Sequence, residues 1–192
     1  MFNKKPKDKT ERIIKGCIAS DYKAQRLLYK IYAPKMFSLC LRYAKDYHQA
    51  EDILQDGFVK VYKNIHKFKG TGSFDGWVRR VFVNTAIEAY RKSVKMYPII
   101  EVEGTNVPLI NETVMGQLGA DEIMALVDKL AIGYKTIFNL YVIEGYPHKD
   151  IAEKLGISEG TSKSQLARAR YMLQKMILER DNDAPYGEVV ER

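Results

Sequence analysis

Apolar residues recur every three or four positions along most of the 192-residue chain, which is the spacing of α-helices. We find no convincing two-residue alternation bounded by hairpin turns, so the pattern predicts an all-α protein. One interruption falls at Pro34, within the helical stretch that begins at Asp21. Proline lacks an amide donor and is accepted most easily in the first turn of a helix. We therefore predict two helices that meet near Ala33.

The helical period stops between residues 96 and 117, where two prolines, two glycines and two asparagines favour a loop. This segment predicts a linker between two small helical domains, residues 1–95 and residues 118–178. The last residues, 179–192, are polar and predict a frayed tail.

Composition and charge narrow the class of protein. The formal net charge is +7 and the isoelectric point is near 9.2, which gives a mild bias toward polyanions such as nucleic acid. Cys17 and Cys40 have neither metal-ligand spacing nor a disulfide framework, so they predict reduced thiols, with Cys40 in the core. The basic N-terminus lacks a secretory apolar stretch, and no segment approaches ~18 uninterrupted apolar residues. We expect a soluble, cytoplasmic protein.

An acidic face follows the helical pattern of YHQAEDILQDGFVKVYKNIHKF, residues 47–68. Asp52 and Asp56 are four residues apart and share a face, opposite an apolar stripe that includes Ile53 and Phe58. On a protein with a net positive charge, an acidic face indicates a surface that binds a partner. A carboxylate metal site is one alternative, although neither a histidine nor a second acidic helix supports it; a solvated face is the other.

The segment FKGTGSFDGW, residues 68–77, has the chemistry of a pocket for an unstacked base. Such a pocket needs small side chains and backbone, an apolar wall and a hydrogen-bonding group. The loop from Gly70 to Ser73 supplies the small residues, and Phe68 is a candidate for the wall.

A helix with many cations follows this loop, and Ser73 is its predicted N-cap. Phe74 and Phe82 are predicted core residues, and Trp77 is assigned to the core in preference to stacking on a base. Neighbouring helix positions point about 100° apart, so Arg79 and Arg80 are not expected to serve one role. The candidate phosphate contacts are Arg79, Arg80, Arg91, Lys92 and Lys95.

The segment HKDIAEKLGISEGTSKSQLARAR, residues 148–170, has the pattern of a helix-turn-helix. A short helix is followed by a turn at Gly156 and by a second helix that Ser158 caps. The second helix sorts into an apolar face and a small, basic face, which would enter a major groove. A solvated basic helix is the alternative. The predicted buried residues are Ser162, Leu166, Ala169, Leu173 and Ile177, and the candidate DNA contacts are Gly160, Thr161, Lys163, Ser164, Arg168 and Arg170.

Two segments in this order resemble one family. The stretch YKTIFNLYVIEGYPHKDIAEKLGISEGTSKSQLARAR is similar to domain 4 of the extracytoplasmic-function (ECF) group of sigma-70-type sigma factors. The stretch AEDILQDGFVKVYKNIHKFKGTGSFDGWVRRVFVNTAIEAYRK resembles domain 2 of the same family. Pro147 stands where a capping serine is common, and Ala131 and Ile132 replace common prolines, but neither departure touches the base-reading face.

The resemblance implies a sigma factor that binds core RNA polymerase, directs it to the −10 and −35 elements of promoters and assists DNA melting. It also implies an anti-sigma factor as a further partner. By resemblance, the residues that bind core polymerase are Glu51, Asp52, Gln55 and Asp56. Those that contact the −10 element are Phe68, Lys69, Gly70, Ser73, Arg80, Asn84, Arg91 and Lys92.

Catalysis by the chain itself is not expected. Its three histidines are scattered, no Ser/His/Asp arrangement is defensible, and no glycine-rich phosphate loop follows a strand. No cofactor, metal or small-molecule substrate is expected either. Two rivals remain: a conventional helix-turn-helix regulator, which would usually read a palindrome as a dimer, and a sigma-like interaction module that no longer melts DNA.

Overall fold

The computed structural model describes residues 6–96 and 119–183, and within these ranges the chain forms eight α-helices and no strand. The all-α prediction is confirmed. The chain divides into two compact units, Met1–Pro98 and Ile99–Arg192. The predicted linker lies almost wholly outside the described residues, so its boundaries stay a prediction. None of the described helices combines the length and the apolar character needed to span a bilayer.

Four helices build the first unit: α1 (Pro6–Ile18), α2 (Tyr22–Tyr43), α3 (Tyr47–Asn64) and α4 (Phe74–Met96). A single 3₁₀ turn, Ile65–Lys67, follows α3. Helix α2 packs against α1, α3 and α4, so it lies at the centre of this unit. Helix α1 was not predicted, because six of its 13 residues are charged and few are apolar.

The prediction that two helices meet near Ala33 is wrong, since α2 runs without a break from Tyr22 to Tyr43 with Pro34 inside it. Proline at this position removes the amide that would donate to the carbonyl of Lys30. Lys30 and Pro34 are both exposed, so water can satisfy that carbonyl. Burial on both sides of the proline then holds the helix together; the buried residues are Leu28, Tyr32, Met36, Leu39, Cys40 and Tyr43.

The core between α3 and α4 depends on a glycine. Phe82 of α4 is fully buried, and a Cβ on Gly57 would lie 2.3 Å from its ring. The same ring packs edge-on against Phe58, with the centroids 5.2 Å apart. The absence of a side chain at residue 57 therefore lets α3 approach α4 and bury the Phe82 ring, a burial that contributes about 1.5–3 kcal/mol.

Both cysteines are free thiols in the first unit, and both are buried. Burial, together with the Asp21 carboxylate, raises the pKa of Cys17 to about 11. Burial also raises the pKa of Cys40 to about 12. The prediction that Cys40 belongs to the core is confirmed, because none of its surface is exposed.

The second unit contains α5 (Ala120–Val127), α6 (Ile132–Phe138), α7 (His148–Leu155) and α8 (Glu159–Asp183). A π-helical segment, Asn139–Ile143, continues α6. Helix α8 packs against α5, α6 and α7 and is the central element. It continues five residues past the predicted domain boundary at residue 178 and so enters the polar tail.

Candidate functional site

The acidic face of α3 points away from the core. Asp52, Gln55 and Asp56 are exposed, and Glu51 is partly buried. His48 Nδ1 lies 3.7 Å from Glu51 Oε2, so that carboxylate has a neighbour on its own helix. The cap residue Asp46 accepts a hydrogen bond from the Gln49 amide at 2.8 Å and fixes where the helix begins.

Val59 is a feature of this face that sequence reasoning missed. It is 48% exposed, although the apolar residues around it in sequence are buried. It follows Asp52 by seven residues, Gln55 by four and Asp56 by three, which places it on the same side of α3, at the C-terminal end of the face. The face therefore combines exposed polar and charged groups with an exposed apolar residue, as interfaces between proteins commonly do. Its position in the helical period was the signal available in the sequence.

A groove of about 540 Å³ lies beside the acidic face, between α3 and α4. Lys60 Nζ and Glu88 Oε2, which are 2.7 Å apart, form an ion pair between these two helices. The residues of α3 that line the groove include Asp52, Asp56 and Val59, and those of α4 include Glu88, Ala89 and Lys92.

The loop before α4 is held open by two glycines and by an aromatic cluster at its base. Gly70 and Gly72 have φ values of +73° and +83°, a left-handed conformation that side chains rarely adopt. Phe68 packs against Phe74 and Trp77, with ring centroids 5.2 Å and 5.9 Å away. Lys69, Gly70 and Ser73 are exposed. An apolar wall therefore lies beside a loop of small residues.

Phe74 and Phe82 are buried, which confirms their assignment to the core. Trp77 is only partly buried and stacks on Phe74, with the centroids 5.7 Å apart. The Ser73 hydroxyl accepts a hydrogen bond from the Gly76 amide at 3.0 Å, so the predicted N-cap is confirmed.

Helix α4 brings some of its candidate DNA contacts together and separates others. Arg80, Asn84 and Arg91 are spaced by four and seven residues, so they share one face. Arg80 and Arg91 are exposed, and Asn84 is partly buried. Lys92 is exposed too but lines the groove with Glu88, away from that face. The structure therefore groups three of these four residues.

The helix-turn-helix forms as predicted. Helix α7 ends at a left-handed Gly156, with a φ value of +72°. The Ser158 hydroxyl accepts a hydrogen bond from the Thr161 amide at 2.9 Å and caps α8. At Pro147, the residue before α7, no side-chain cap is present. The inward face of α8 is confirmed, because all five predicted residues are buried: Ser162, Leu166, Ala169, Leu173 and Ile177.

The outward face of α8 begins small and becomes basic. Gly160 and Ser164 are exposed, and Thr161 and Arg168 are partly buried. The Ser164 hydroxyl donates to the Thr161 carbonyl at 3.1 Å, within its own helix. A Cβ on Gly160 would meet nothing closer than 3.6 Å, so the leading edge of the helix has open space around it.

Two candidate contacts lie on one flank of α8. Lys163 is exposed, and its Nζ lies 2.7 Å from Glu159 Oε1. The hydrogen bond and charge of Lys163 lower the pKa of the Glu159 carboxyl. Arg170 is partly buried on the same flank, two turns along the helix. Sequence reasoning did not anticipate that Lys163 already has an acidic neighbour.

Comparison with known proteins identifies both units. Residues 28–95 match the family model for sigma-70 region 2, and residues 120–173 match that for sigma-70 region 4. The chain is 31% identical over 176 residues to the ECF RNA polymerase sigma factor SigW of Bacillus subtilis, and the match covers 85% of this chain and 94% of that protein. The chain belongs to the ECF sigma factors of the sigma-70 family.

Two further relatives are similar over nearly their whole length. The ECF RNA polymerase sigma-E factor of Haemophilus influenzae is 29% identical, with 87% of this chain and 92% of that protein covered. The RNA polymerase sigma-H factor of Pseudomonas aeruginosa is 28% identical, with 87% and 91% covered. The resemblance noted in the sequence is thus confirmed for the ECF sigma factor family.

As a sigma factor, the protein associates with core RNA polymerase and recognises promoter DNA, and it is not an enzyme. The match to region 2 sets it apart from a conventional helix-turn-helix regulator, since it covers the acidic helix and the glycine-rich loop as well.

Sequence reasoning treated His148 only as one of three scattered histidines and missed its packing contacts. His148, at the start of α7, has its Nδ1 2.9 Å from the hydroxyl of the buried Ser162 on α8. Its ring also stacks on Tyr141 of the π-helical segment, with the centroids 4.4 Å apart. The contact could not be read from sequence, because it joins three elements and depends on how they pack.

Proposed function

We propose that this sigma factor binds core RNA polymerase through the acidic face of α3. The supporting observation is that Asp52, Gln55 and Asp56 are exposed on the same side of α3 as the exposed apolar Val59. Desolvated apolar contacts at the centre of an interface supply affinity, and a charged rim supplies specificity and a faster encounter. Glu51 lies at the edge of this face and would contribute less.

Promoter recognition is assigned to two further surfaces. The loop of the first unit and the Arg80, Asn84 and Arg91 face of α4 would hold the −10 element, with Phe68 beside an unstacked base. The free energy of binding the separated strand would offset the cost of unpairing, a few kcal/mol per base, so melting needs no chemical step. In the second unit, the small leading edge of α8 would enter the major groove at the −35 element and bring Arg168 to the bases.

Cytoplasmic location belongs to the same proposal, because core polymerase acts on DNA in that compartment. An anti-sigma factor would inhibit the protein by covering the acidic and groove-facing surfaces.

The deciding experiment is transcription in vitro with purified core polymerase on genomic DNA fragments. The wild-type chain is expected to start transcripts at specific sites that core polymerase alone does not use. The double variant Asp52→Lys, Asp56→Lys is expected to lose both core binding and these transcripts. A matched control, Glu11→Lys with Asp121→Lys, makes the same change in charge at exposed carboxylates elsewhere and is expected to remain active.

Unchanged affinity of the Asp52/Asp56 variant for core polymerase would overturn the assignment of the acidic face. Equal loss in the Glu11/Asp121 control would show that net charge, and not this face, governs binding.

A further inference from the structure

His148 lies where the π-helical segment, α7 and α8 meet. The hydrogen bond to Ser162 ties the first turn of α7 to the inward face of α8, and Tyr141 covers one face of the imidazole. Ser162 has no exposed surface, so a polar atom there needs a partner. The imidazole therefore helps set how α8, the recognition helix of the proposed function, sits relative to α7.

Charged groups of both signs lie near this imidazole, among them Asp150 in the first turn of α7. Burial lowers the pKa of His148, and Lys163 and Arg170 of α8 lower it further, while Glu159 of the same helix acts in the opposite direction. Lys149, the next residue of α7, is close enough to Glu159 to lower the pKa of its carboxyl. Tyr141 is the residue that the π-helical segment places against the ring. The free protein therefore favours the neutral imidazole at neutral pH.

Bound DNA would change the balance of charges that sets the pKa of His148. In a helix-turn-helix the first helix crosses the phosphate backbone while the second enters the groove. Helix α7 begins at His148 without a side-chain cap, so its first amides remain available to an anion. Lys163 follows Ser162, the residue that His148 contacts, and Arg170 lies two turns further along the same flank of α8. A phosphate at this edge would supply the negative charge that Glu159 supplies only in part.

We propose that His148 is a positioning residue for the recognition helix and that promoter binding is coupled to protonation of its imidazole. The proposal rests on the assignment of α8 to the −35 element. A phosphate raises the pKa of a nearby histidine, so the bound state takes up a proton that the free state lacks. Affinity then rises as pH falls through the interval between the bound and the free pKa values.

The experiment compares three chains in holoenzyme with core polymerase: wild type, His148→Asn and His148→Ala. The probe is a genomic promoter fragment first identified by transcription in vitro with the wild-type holoenzyme. Asparagine places an amide where Nδ1 was, so it keeps the link to Ser162 but does not titrate. Dissociation constants are measured from pH 8.0 to pH 6.0 at fixed salt, because phosphate contacts are salt-dependent.

Wild-type affinity is expected to rise on acidification by about threefold to tenfold more than that of His148→Asn, as one unit of pKa change corresponds to tenfold. At pH 8.0 the asparagine chain should match wild type, and the alanine chain should bind several-fold more weakly. Parallel pH profiles for wild type and His148→Asn would overturn the coupling. Full affinity of a folded His148→Ala chain would overturn the positioning role.

The variant Arg168→Ala separates this proposal from the one on which it rests. If it binds the fragment as tightly as wild type, the assignment of α8 to the −35 element fails, whatever the histidine variants do. If His148→Ala does not fold, as judged by circular dichroism, the His148→Asn profile still decides the coupling, and Ser162→Ala then tests the positioning contact from its other side.

Discussion

Lys60 Nζ on α3 lies 2.7 Å from Glu88 Oε2 on α4. This ion pair joins the helix with the acidic face to the helix that carries Arg80 and Arg91. Both side chains keep part of their surface in water, 34% for Lys60 and 56% for Glu88. The pair lines the same groove as Asp52 and Asp56, and both of these carboxylates stay exposed.

This ion pair is expected to add little to stability. Solvent screens partly exposed pairs, which typically contribute about 0.2–1 kcal/mol. A double-mutant cycle with Lys60→Met and Glu88→Gln, followed by urea unfolding, should give a coupling energy in that range and a smaller one in high salt. A coupling well above it would mean that the groove is less solvated than the exposed fractions indicate.

Gly57→Ala is expected to destabilise the first unit by about 1–3 kcal/mol, because the added Cβ overlaps the Phe82 ring and the core has to repack. The added atom would overlap Cε1, Cδ1 and Cζ of that ring. Thermal unfolding measured by circular dichroism checks this. The pair Gly57→Ala with Phe82→Leu should recover part of the loss; no recovery would mean that the glycine serves the backbone and not the packing.

Gly160→Ala should stabilise α8 by about 0.5–1 kcal/mol, since alanine favours the helix and the site is open. If the leading edge must be thin to enter a groove, larger side chains here should weaken promoter binding in order of size. Alanine, valine and leucine at residue 160 are compared by thermal unfolding and by holoenzyme binding to a promoter fragment. Equal binding by all three would place residue 160 outside the groove.

Arg168→Ala is expected to weaken binding at the −35 element by about 1–3 kcal/mol and to relax base preference there. Lys175→Ala, an exposed cation on the same helix, is the matched control and should change affinity less. Electrophoretic mobility shifts of the holoenzyme on the fragment and on versions with altered −35 bases measure both effects. A uniform loss across all base changes would reassign Arg168 to a phosphate.

The buried thiols should resist modification. With pKa values of about 11 for Cys17 and about 12 for Cys40, against an ordinary 9.0, the reactive thiolate is scarce at pH 8. Ellman's reagent should therefore react with neither cysteine in the native chain and with both in guanidinium. Ser38→Cys, on the exposed side of α2, provides a reactive control whose rate rises with pH. Fast reaction of the native wild type would show that the first unit opens readily.

The helical spacing of apolar residues correctly predicted which side of a regular helix is buried. All five inward residues of α8 follow from spacing alone, because buried and exposed sides of one helix alternate with a fixed period. The predicted helix break near Ala33 relied on the low helix propensity of proline. It is wrong because burial of the residues around Pro34 outweighs one missing hydrogen bond. Tertiary packing also explains why α1 was missed. Its few apolar residues, including Ile13 and Cys17, are buried through contact with other helices, which local sequence does not show.

The candidate surfaces show the same division. Asp52 and Asp56 could be placed on one face from their spacing, and the structure leaves both exposed. The pairing of Lys163 with Glu159 involves two flexible side chains, so spacing allows it but does not establish it. The contact between His148 and Ser162 depends on the turn between two helices and on the segment before them, which no local pattern encodes.

The π-helical segment Asn139–Ile143 has a consequence for comparing related chains. A π turn accommodates one residue more than an α turn, so it is the natural place for a single-residue insertion to be absorbed. Deleting one residue here is therefore expected to restore α geometry and to leave the residues on either side on the faces that they occupy now. A homologue whose alignment shows a one-residue gap at this point is expected to keep the packing of α6 and α7 against α8.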